Sequence, residues 1–561
     1  MEKIRISDLT FQYPLADHPA LSHVDLSIGA SEFVVLCGKS GCGKSTLLRH
    51  LKKSLAPYGE RSGAVYVDGV SVEETDDRVG AASVGFVQQN PDNQLVTDKV
   101  WHELAFGLEN LGLPNPVIKR RVAEMASYFG IQNWFRRSVA ELSGGQKQLL
   151  NLASVMAMQP DLLVLDEPAS QLDPIAAADF LNTVYKINRD LGTTVVISEH
   201  RLEDVFPMAD RVIVMDGGSI LTQGTPSEVG RALEVWRDGA PHPMYFGMPA
   251  VMKAFPASVM EKREAEGLSL PLTLREGRLL AEDLLKGREI PEAEEAPETA
   301  PRRRLFEKDD RDAAVSIKDL WFRYSKESSD VLRGLTFTIE KGKVHCLLGG
   351  NGSGKSTLLK ALAGIVKPQR GKILKAEGLT MALVPQDPQA LFTEILVEDE
   401  MLEGMAYLPL SDEEKVARTE ELLALMEIEH LRKANPYDLS GGEQQRLAIG
   451  KVMGLKPDIL LLDEPTKGLD PFFKRTMGGI LRQLAEQGVT VLMVSHDIDF
   501  CARYGDICAM FFDGEITSEG SAREFFRGNS FYTTTANKLV RRWRNDIILS
   551  EEVAAWLETV L

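Results

Sequence analysis

Short apolar runs punctuate this chain at regular intervals. FVVLC (33–37), LLVL (162–165) and TTVVIS (193–198) are four to six residues long, rich in β-branched side chains, and each is followed by a helix-like pattern. Runs of that length with no polar alternation predict strands buried on both faces, as in a parallel sheet with helices packed over it. Between them the pattern changes. Residues 98–141, including VIKRRVAEMASYFG, place apolar residues at helical spacing with polar faces, which predicts a helical subdomain set into an α/β core.

The pattern is written twice. GKSGCGKST (38–46) returns as GGNGSGKST (349–357), a shift of 311. LSGGQ (142–146) returns as LSGGE (439–443), and LLVLDEP (162–168) as ILLLDEP (459–465), both shifted by 297. The 14-residue difference falls between the first two motifs, where the second repeat lacks much of VDGVSVEETDDRVGAAS. A trimmed hairpin is the expected cause. The division expected is a first domain at 1–230, a linker or accessory segment at 231–312, a second domain at 313–528 and an appended helical extension at 529–561. Within the accessory segment, EIPEAEEAPETAPRRRLFEKDDRD (289–312) is dense in proline and charge and reads as a solvated linker.

Composition narrows the class. At 561 residues the chain exceeds one hydrophobic core, and 82 acidic against 64 basic residues give a net charge of −18, which argues against broad nucleic-acid binding. The five cysteines form no CxxC pair, consistent with reduced thiols in a cytosolic setting. The opening MEKIRISDLTFQY has no signal-peptide core, and no apolar run approaches the 18 or so residues of a membrane span. This chain is not expected to cross a bilayer by itself.

The motifs carry phosphate chemistry. Gly38-x4-Gly43-Lys44-Ser45 and Gly349-x4-Gly354-Lys355-Ser356 each follow an apolar strand and open a helix, the pattern of a P-loop. Their glycines let backbone N–H groups curl round phosphate, the lysine neutralises charge and the hydroxyl reaches Mg²⁺. The nucleotide-binding set is therefore Gly38, Ser40, Gly41, Cys42, Gly43, Lys44, Ser45 and Thr46, with Gly349, Asn351, Gly352, Ser353, Gly354, Lys355, Ser356 and Thr357. Cys42 is either a small filler or a redox-sensitive position. Two acids end each LLVLDEP-type strand: Asp166 or Asp463 to hold Mg²⁺ through its water shell, and Glu167 or Glu464 to activate the attacking water. His200 and His496 stand at matching strand ends, suited to γ-phosphate contact. Gln89 and Gln386 stand before proline turns, suited to Mg²⁺ or water.

Together these parts resemble the ATP-binding-cassette (ABC) ATPases over essentially residues 1–230 and 313–528. The resemblance implies an α/β fold of two tandem nucleotide-binding domains, each a P-loop parallel-sheet core with a helical subdomain and an antiparallel β subdomain. It implies ATP hydrolysis with Mg²⁺. It also explains the second glycine turn: in that family the LSGGQ helix of one cassette covers ATP held by the other. Ser143, Gly144, Gly145 and Gln146 would then close on the Lys355 site, and Ser440, Gly441, Gly442 and Glu443 on the Lys44 site. Tyr13 and Tyr324 match the adenine-stacking aromatic, and Asp173 and Asp470 the loop that touches across the dimer. Pairing within one chain is expected, with pairing between two copies the alternative.

FVQQNPDNQLVTDKVWHELAFGLENLGLP (86–114), EPASQLDP, and SEHRLED, with Glu199 read as inserted before His200, resemble the double-length ATPase of energy-coupling-factor (ECF) transporters, which import vitamins or metal ions. The second repeat's QDPQALFTEILVEDE fits more loosely. This resemblance implies a peripheral subunit on the cytoplasmic face of a bacterial membrane. Its partners would be a transmembrane scaffold subunit whose coupling helices dock at 89–110 and 386–403 and, indirectly, a substrate-capturing membrane subunit, with no nucleic acid. The alternatives are a tandem sugar-import ATPase and a soluble translation factor on the ribosome.

Overall fold

A computed structural model of the chain describes residues 2–14, 16–236, 240–265, 267–288, 290 and 312–561. Two compact units emerge, residues 1–252 with 256–273 and residues 253–255 with 274–561.

In the first unit a six-stranded sheet runs in the order Ser219–Gly224, Arg211–Asp216, Phe33–Gly38, Thr194–Ser198, Leu162–Asp166, Val84–Val87. Every neighbouring pair is parallel except the Ser219–Gly224 edge. The three apolar runs of the sequence are the central strands, and every residue of each is buried. A second, antiparallel sheet joins Leu21–Gly29, Glu2–Gln12, Glu60–Val67 and Val70–Ser71. The P-loop helix Lys44–Arg49 sits between the sheets, and Leu47 and Leu48 join one core cluster with Ile4, Phe11, Val34 and Val164. Helices Val100–Asn110, Asn115–Tyr128 and Gly144–Ala157 make the helical subdomain.

The second unit repeats this plan with the sheet order Met381–Val384, Ile459–Asp463, Thr490–Val494, Val344–Leu348, Ile507–Phe512, Glu515–Ser521. What the second repeat lacks is more than a hairpin. In the first unit the chain from Val67 to Val84 forms the short strand Val70–Ser71 and the helix Asp77–Ser83, whereas in the second Lys375 leads to Met381 with neither.

The described residues between 231 and 288 are largely folded. The helix Pro226–Glu234 and the short 3-10 helix Pro243–Gly247 are separate elements, and the Ser227 hydroxyl donates to Leu270 O (3.0 Å). The helix Leu274–Leu284 belongs to the second unit, where the Arg278 guanidinium donates to Lys538 O (2.7 and 3.0 Å) and so caps the helix Thr535–Val540. Apart from 290 and 312, the solvated linker read at 289–312 lies outside the described residues.

Candidate functional site

Each P-loop is shaped by positions where a side chain does not fit. Gly43 has φ of +98°, and a Cβ there would lie 2.4 Å from Ala20 O; Gly354 has φ of +112°, with a Cβ 2.9 Å from Val331 O. Lys44 is buried, its ammonium donating to Gly38 O and Lys39 O at 3.0 Å, so it lies across the mouth of its own loop. Lys355 does the same to Gly349 O and Gly350 O at 2.8 Å. Burial lowers the Lys355 pKa against the opposing pull of Glu464 and Asp463. Cys42 is buried in the core cluster of its lobe, where a Cβ on Gly38 would lie 2.6 Å from its Sγ, the place of a small filler. Tyr13 and Tyr324 reach the far end of the P-loop through their hydroxyls, to Thr46 Oγ1 (3.1 Å) and Thr357 Oγ1 (3.0 Å), with rings set edge-on to Phe11 and Phe322.

Successive residues on a strand face opposite ways, so Asp166 and Glu167 would diverge if the strand simply continued. Instead Glu167 adopts φ of +45° and Glu464 φ of +54°, left-handed conformations uncommon for a non-glycine residue. The turn brings both acids to the P-loop. Asp166 Oδ1 accepts from Ser45 Oγ (2.9 Å), and Glu167 Oε1 lies 3.9 Å from Lys44 Nζ. Glu167 Oε1 is also 2.8 Å from His200 Nε2, and Oε2 accepts from Gln89 Nε2 at 2.9 Å. Burial would raise the Glu167 pKa, but His200 and Lys44 outweigh it and hold the carboxyl below its ordinary value. Burial and the neighbouring Glu167 push Asp166 up, a bias that a bound cation would relieve.

The second lobe repeats most of this. Ser356 Oγ donates to Asp463 Oδ1 (3.0 Å), Glu464 Oε1 meets His496 Nε2 (2.9 Å), and Lys355 Nζ is 3.3 Å from His496 Nε2. Gln386 is exposed like Gln89, but its side chain makes no hydrogen bond to Glu464 or any other described residue. Asp173 and Asp470 have local work. Their carboxylates accept from Ile175 and Ala176 N–H (3.0 and 2.9 Å) and from Phe473 N–H (2.8 Å), capping the following helices.

The signature turns open long helices, Gly144–Ala157 and Gly441–Gly454, through capping boxes. The boxes differ. Ser143 N–H donates to Gln146 Oε1 (3.0 Å), whereas both the N–H and the hydroxyl of Ser440 donate to Glu443 Oε2 (2.8 and 2.7 Å). Nothing lies within 4 Å of a Cβ built on Gly144 or Gly441, leaving open space at both helix N-termini, and Gly145 and Gly442 pack on Ala176 and Phe473 behind them.

Both lobes fit nucleotide with Mg²⁺. Mg²⁺ prefers oxygen ligands, and in each lobe a hydroxyl and a carboxylate oxygen stand side by side, Ser45 with Asp166 (2.9 Å) and Ser356 with Asp463 (3.0 Å). Among the described residues no group of three or more His, Cys, Asp or Glu side chains is placed to hold a metal ion. Ser353 Oγ is buried in the second P-loop without a hydrogen-bond partner among the described residues, as a group awaiting a ligand would be.

Sequence reasoning overlooked Ser198, whose hydroxyl donates to Asp166 Oδ1 (2.9 Å) and accepts from Glu167 N–H (2.9 Å). Repeat comparison concealed it because Val494 takes its place in the second lobe. It also misread Glu199 as an insertion. Asp166 pairs with Ser198 as Asp463 pairs with Val494, and the backbone N–H groups of Glu199 and Ser495 bond to Leu36 O and Leu347 O, so Glu199 replaces Ser495 in register.

The ABC transporter family pattern matches residues 21–170 and 332–467. A Bacillus cereus protein named as an ABC transporter ATP-binding protein is 42% identical over 548 residues, covering 96% of this chain and 95% of its own. Among solved structures, CbiO1 of Clostridium perfringens, part of the CbiONQ ABC transporter complex, is 31% identical over 41% of this chain and 91% of its own, with a TM-score of 0.38. An archaeal ribosome recycling factor, aABCE1, solved with a ribosomal stalk protein, is 21% identical over 93% of this chain and 91% of its own, with a TM-score of 0.56, a likeness of fold alone. With the family pattern present in both halves and a relative matching almost end to end, the chain belongs to the ABC transporter family as a double-length ABC ATPase that binds ATP.

Proposed function

We propose that this ATPase is the energising subunit of an ECF-type importer of a vitamin or metal ion, bound peripherally to the cytoplasmic face of the membrane through a separate transmembrane scaffold subunit. The observation that carries the reading is how residues 88–101 are mounted. Lys147 pairs with Asp92 (2.6 Å), Gln148 donates to Gln88 O (3.0 Å) and Asn151 to Pro91 O (3.1 Å), all from the signature helix. Val96 (66% exposed) and Trp101 (44%) stand out beside this anchored turn. An apolar ledge fastened to the signature helix suits a docked coupling helix, because movement of that helix is handed directly to whatever sits on the ledge.

In this reading Glu167 and Glu464 take the proton of the attacking water, and His200 and His496 hold those carboxylates and contact the γ-phosphate. Lys44 and Lys355 neutralise phosphate. Ser45 with Asp166, and Ser356 with Asp463, would hold Mg²⁺, with Gln89 and Gln386 as further ligands; the ion would supply neutralisation of the developing charge. Ser143, Gly144 and Gly145 present a helix N-terminus to ATP at Lys355, and Ser440, Gly441 and Gly442 to ATP at Lys44, so that each site is completed by the other cassette. The looser second repeat, and a Gln386 without the hydrogen bond that ties Gln89 to Glu167, favour the first ledge as the firmer attachment.

The test is affinity purification of the full chain from its native cells, from detergent-solubilised membranes and from the ribosome fraction in parallel. Recovery with polytopic membrane proteins, lost when Val96→Asp and Trp101→Ala are combined, is expected. Recovery with ribosomes instead would overturn the importer reading.

A further inference from the structure

The two lobes differ at one buried spot behind the catalytic histidine. In the second, Thr466 and Ser495 face each other as hydroxyls 3.4 Å apart, and Ser495 Oγ also accepts from Asp497 N–H (3.0 Å). In the first, the Thr466 position is Ala169 and the Ser495 position is Glu199, whose side chain is 1% exposed. Its carboxylate accepts from Ala169 N–H (2.9 Å) through one oxygen and from His200 N–H (3.1 Å) through the other. Ala169 lies two residues beyond Glu167, on the loop that leads to Asp173.

We propose that Glu199 is a positioning residue private to the first cassette: one buried carboxylate grips the backbone on both sides of the Glu167–His200 pair, so that the histidine strand end and the loop after the base hold a single geometry. Burying a carboxyl is costly, and the hydrogen bonds to two N–H donors are what offset the cost. In the second lobe a neutral hydroxyl pair fills the same place, with Ser495 Oγ accepting from Asp497 N–H instead, so packing alone does not require the acid.

Burial pushes the Glu199 carboxyl up to about 7, opposed by the Ala169 N–H and by His200 and Arg201, and reinforced by Glu167. Lys44 stands beyond Glu167 at 3.9 Å. The ionised form accepts both N–H bonds, and protonation weakens the grip. The first site therefore gains turnover as pH rises through about 7.

The inference rests on the roles given above to Glu167 and His200, and the test separates the two. With the full chain, vanadate trapping of photoactivatable nucleotide is read by mapping label to the Lys44 and Lys355 peptides from pH 6 to 8.5, alongside labelling without turnover. In Glu199→Ala, trapping at the Lys44 site should fall at least fivefold while turnover-independent labelling there stays within twofold. The graft Ala169→Thr/Glu199→Ser should restore trapping to within twofold of wild type at pH 8 and flatten its rise through neutrality. Unchanged trapping with the pH rise intact in Glu199→Ala would overturn the proposal, as would a graft that binds nucleotide normally yet traps no better than Glu199→Ala. Glu167→Gln in the same assay reports on the base alone. Lost trapping there beside an unaffected Glu199→Ala would refute the grip and leave the base standing.

Discussion

Replacing Glu167 and Glu464 together by glutamine isolates the proposed proton-accepting role from everything else these side chains do. Glutamine keeps the shape and the left-handed turn at both positions, and one carbonyl oxygen remains to accept from His200 or Gln89, which now stand 2.8 and 2.9 Å from the carboxylate oxygens. What is lost is basicity and the charge facing Lys44 at 3.9 Å. A positioned general base is worth roughly 10²–10⁴ in rate, or about 3–5 kcal/mol of barrier at 1.36 kcal/mol per decade. The P-loop amides and Lys44 and Lys355, proposed to bind phosphate, are untouched, so affinity for ATP should change by less than about tenfold. Phosphate release at saturating ATP, measured beside equilibrium binding of a fluorescent ATP analogue, reads both quantities. A double variant whose turnover remains within tenfold of wild type, with binding intact, refutes the assignment of the base.

Three further outcomes are expected. Ser143→Arg should suppress nucleotide trapping mainly at the Lys355 site; suppression confined to the Lys44 site would show that the cassettes pair otherwise. Gly43→Ala forces a Cβ to within 2.4 Å of Ala20 O at φ of +98°, so ATP labelling of the Lys44 peptide should drop at least about tenfold, and wild-type labelling would contradict the loop geometry. Lys451→Met strips the cation from the fully buried Glu400, which keeps only its bonds from Thr393 and Glu394 N–H; breaking such a pair costs about 3–5 kcal/mol, and a loss under 1 kcal/mol for the second unit in urea melts would contradict this.

The chemistry of this protein was legible in its sequence because phosphate sites are built from short segments whose spacing is local. Lys44 follows Gly43 at the head of a helix, and Asp166 and Glu167 end an apolar strand; no distant residue is needed to recognise either pattern. The repeat made the parallel sheet legible in the same way, since the same buried runs returned in the same order. Only the tertiary structure decided which side chains from distant strands meet. It bonded Gln89 to Glu167 and left the Gln386 side chain without a matching bond to Glu464, although both precede the same proline turn. It set Ser198 against Asp166, and Glu199 against Ala169 where the other lobe has two hydroxyls. It also split the accessory segment, giving Leu274–Leu284 to the second unit through Arg278 and a helix C-terminus some 260 residues away. The physical reason is common to all of these: a hydrogen bond depends on angstrom-scale placement of groups far apart in the chain, which hydrophobic periodicity and motif spacing do not encode.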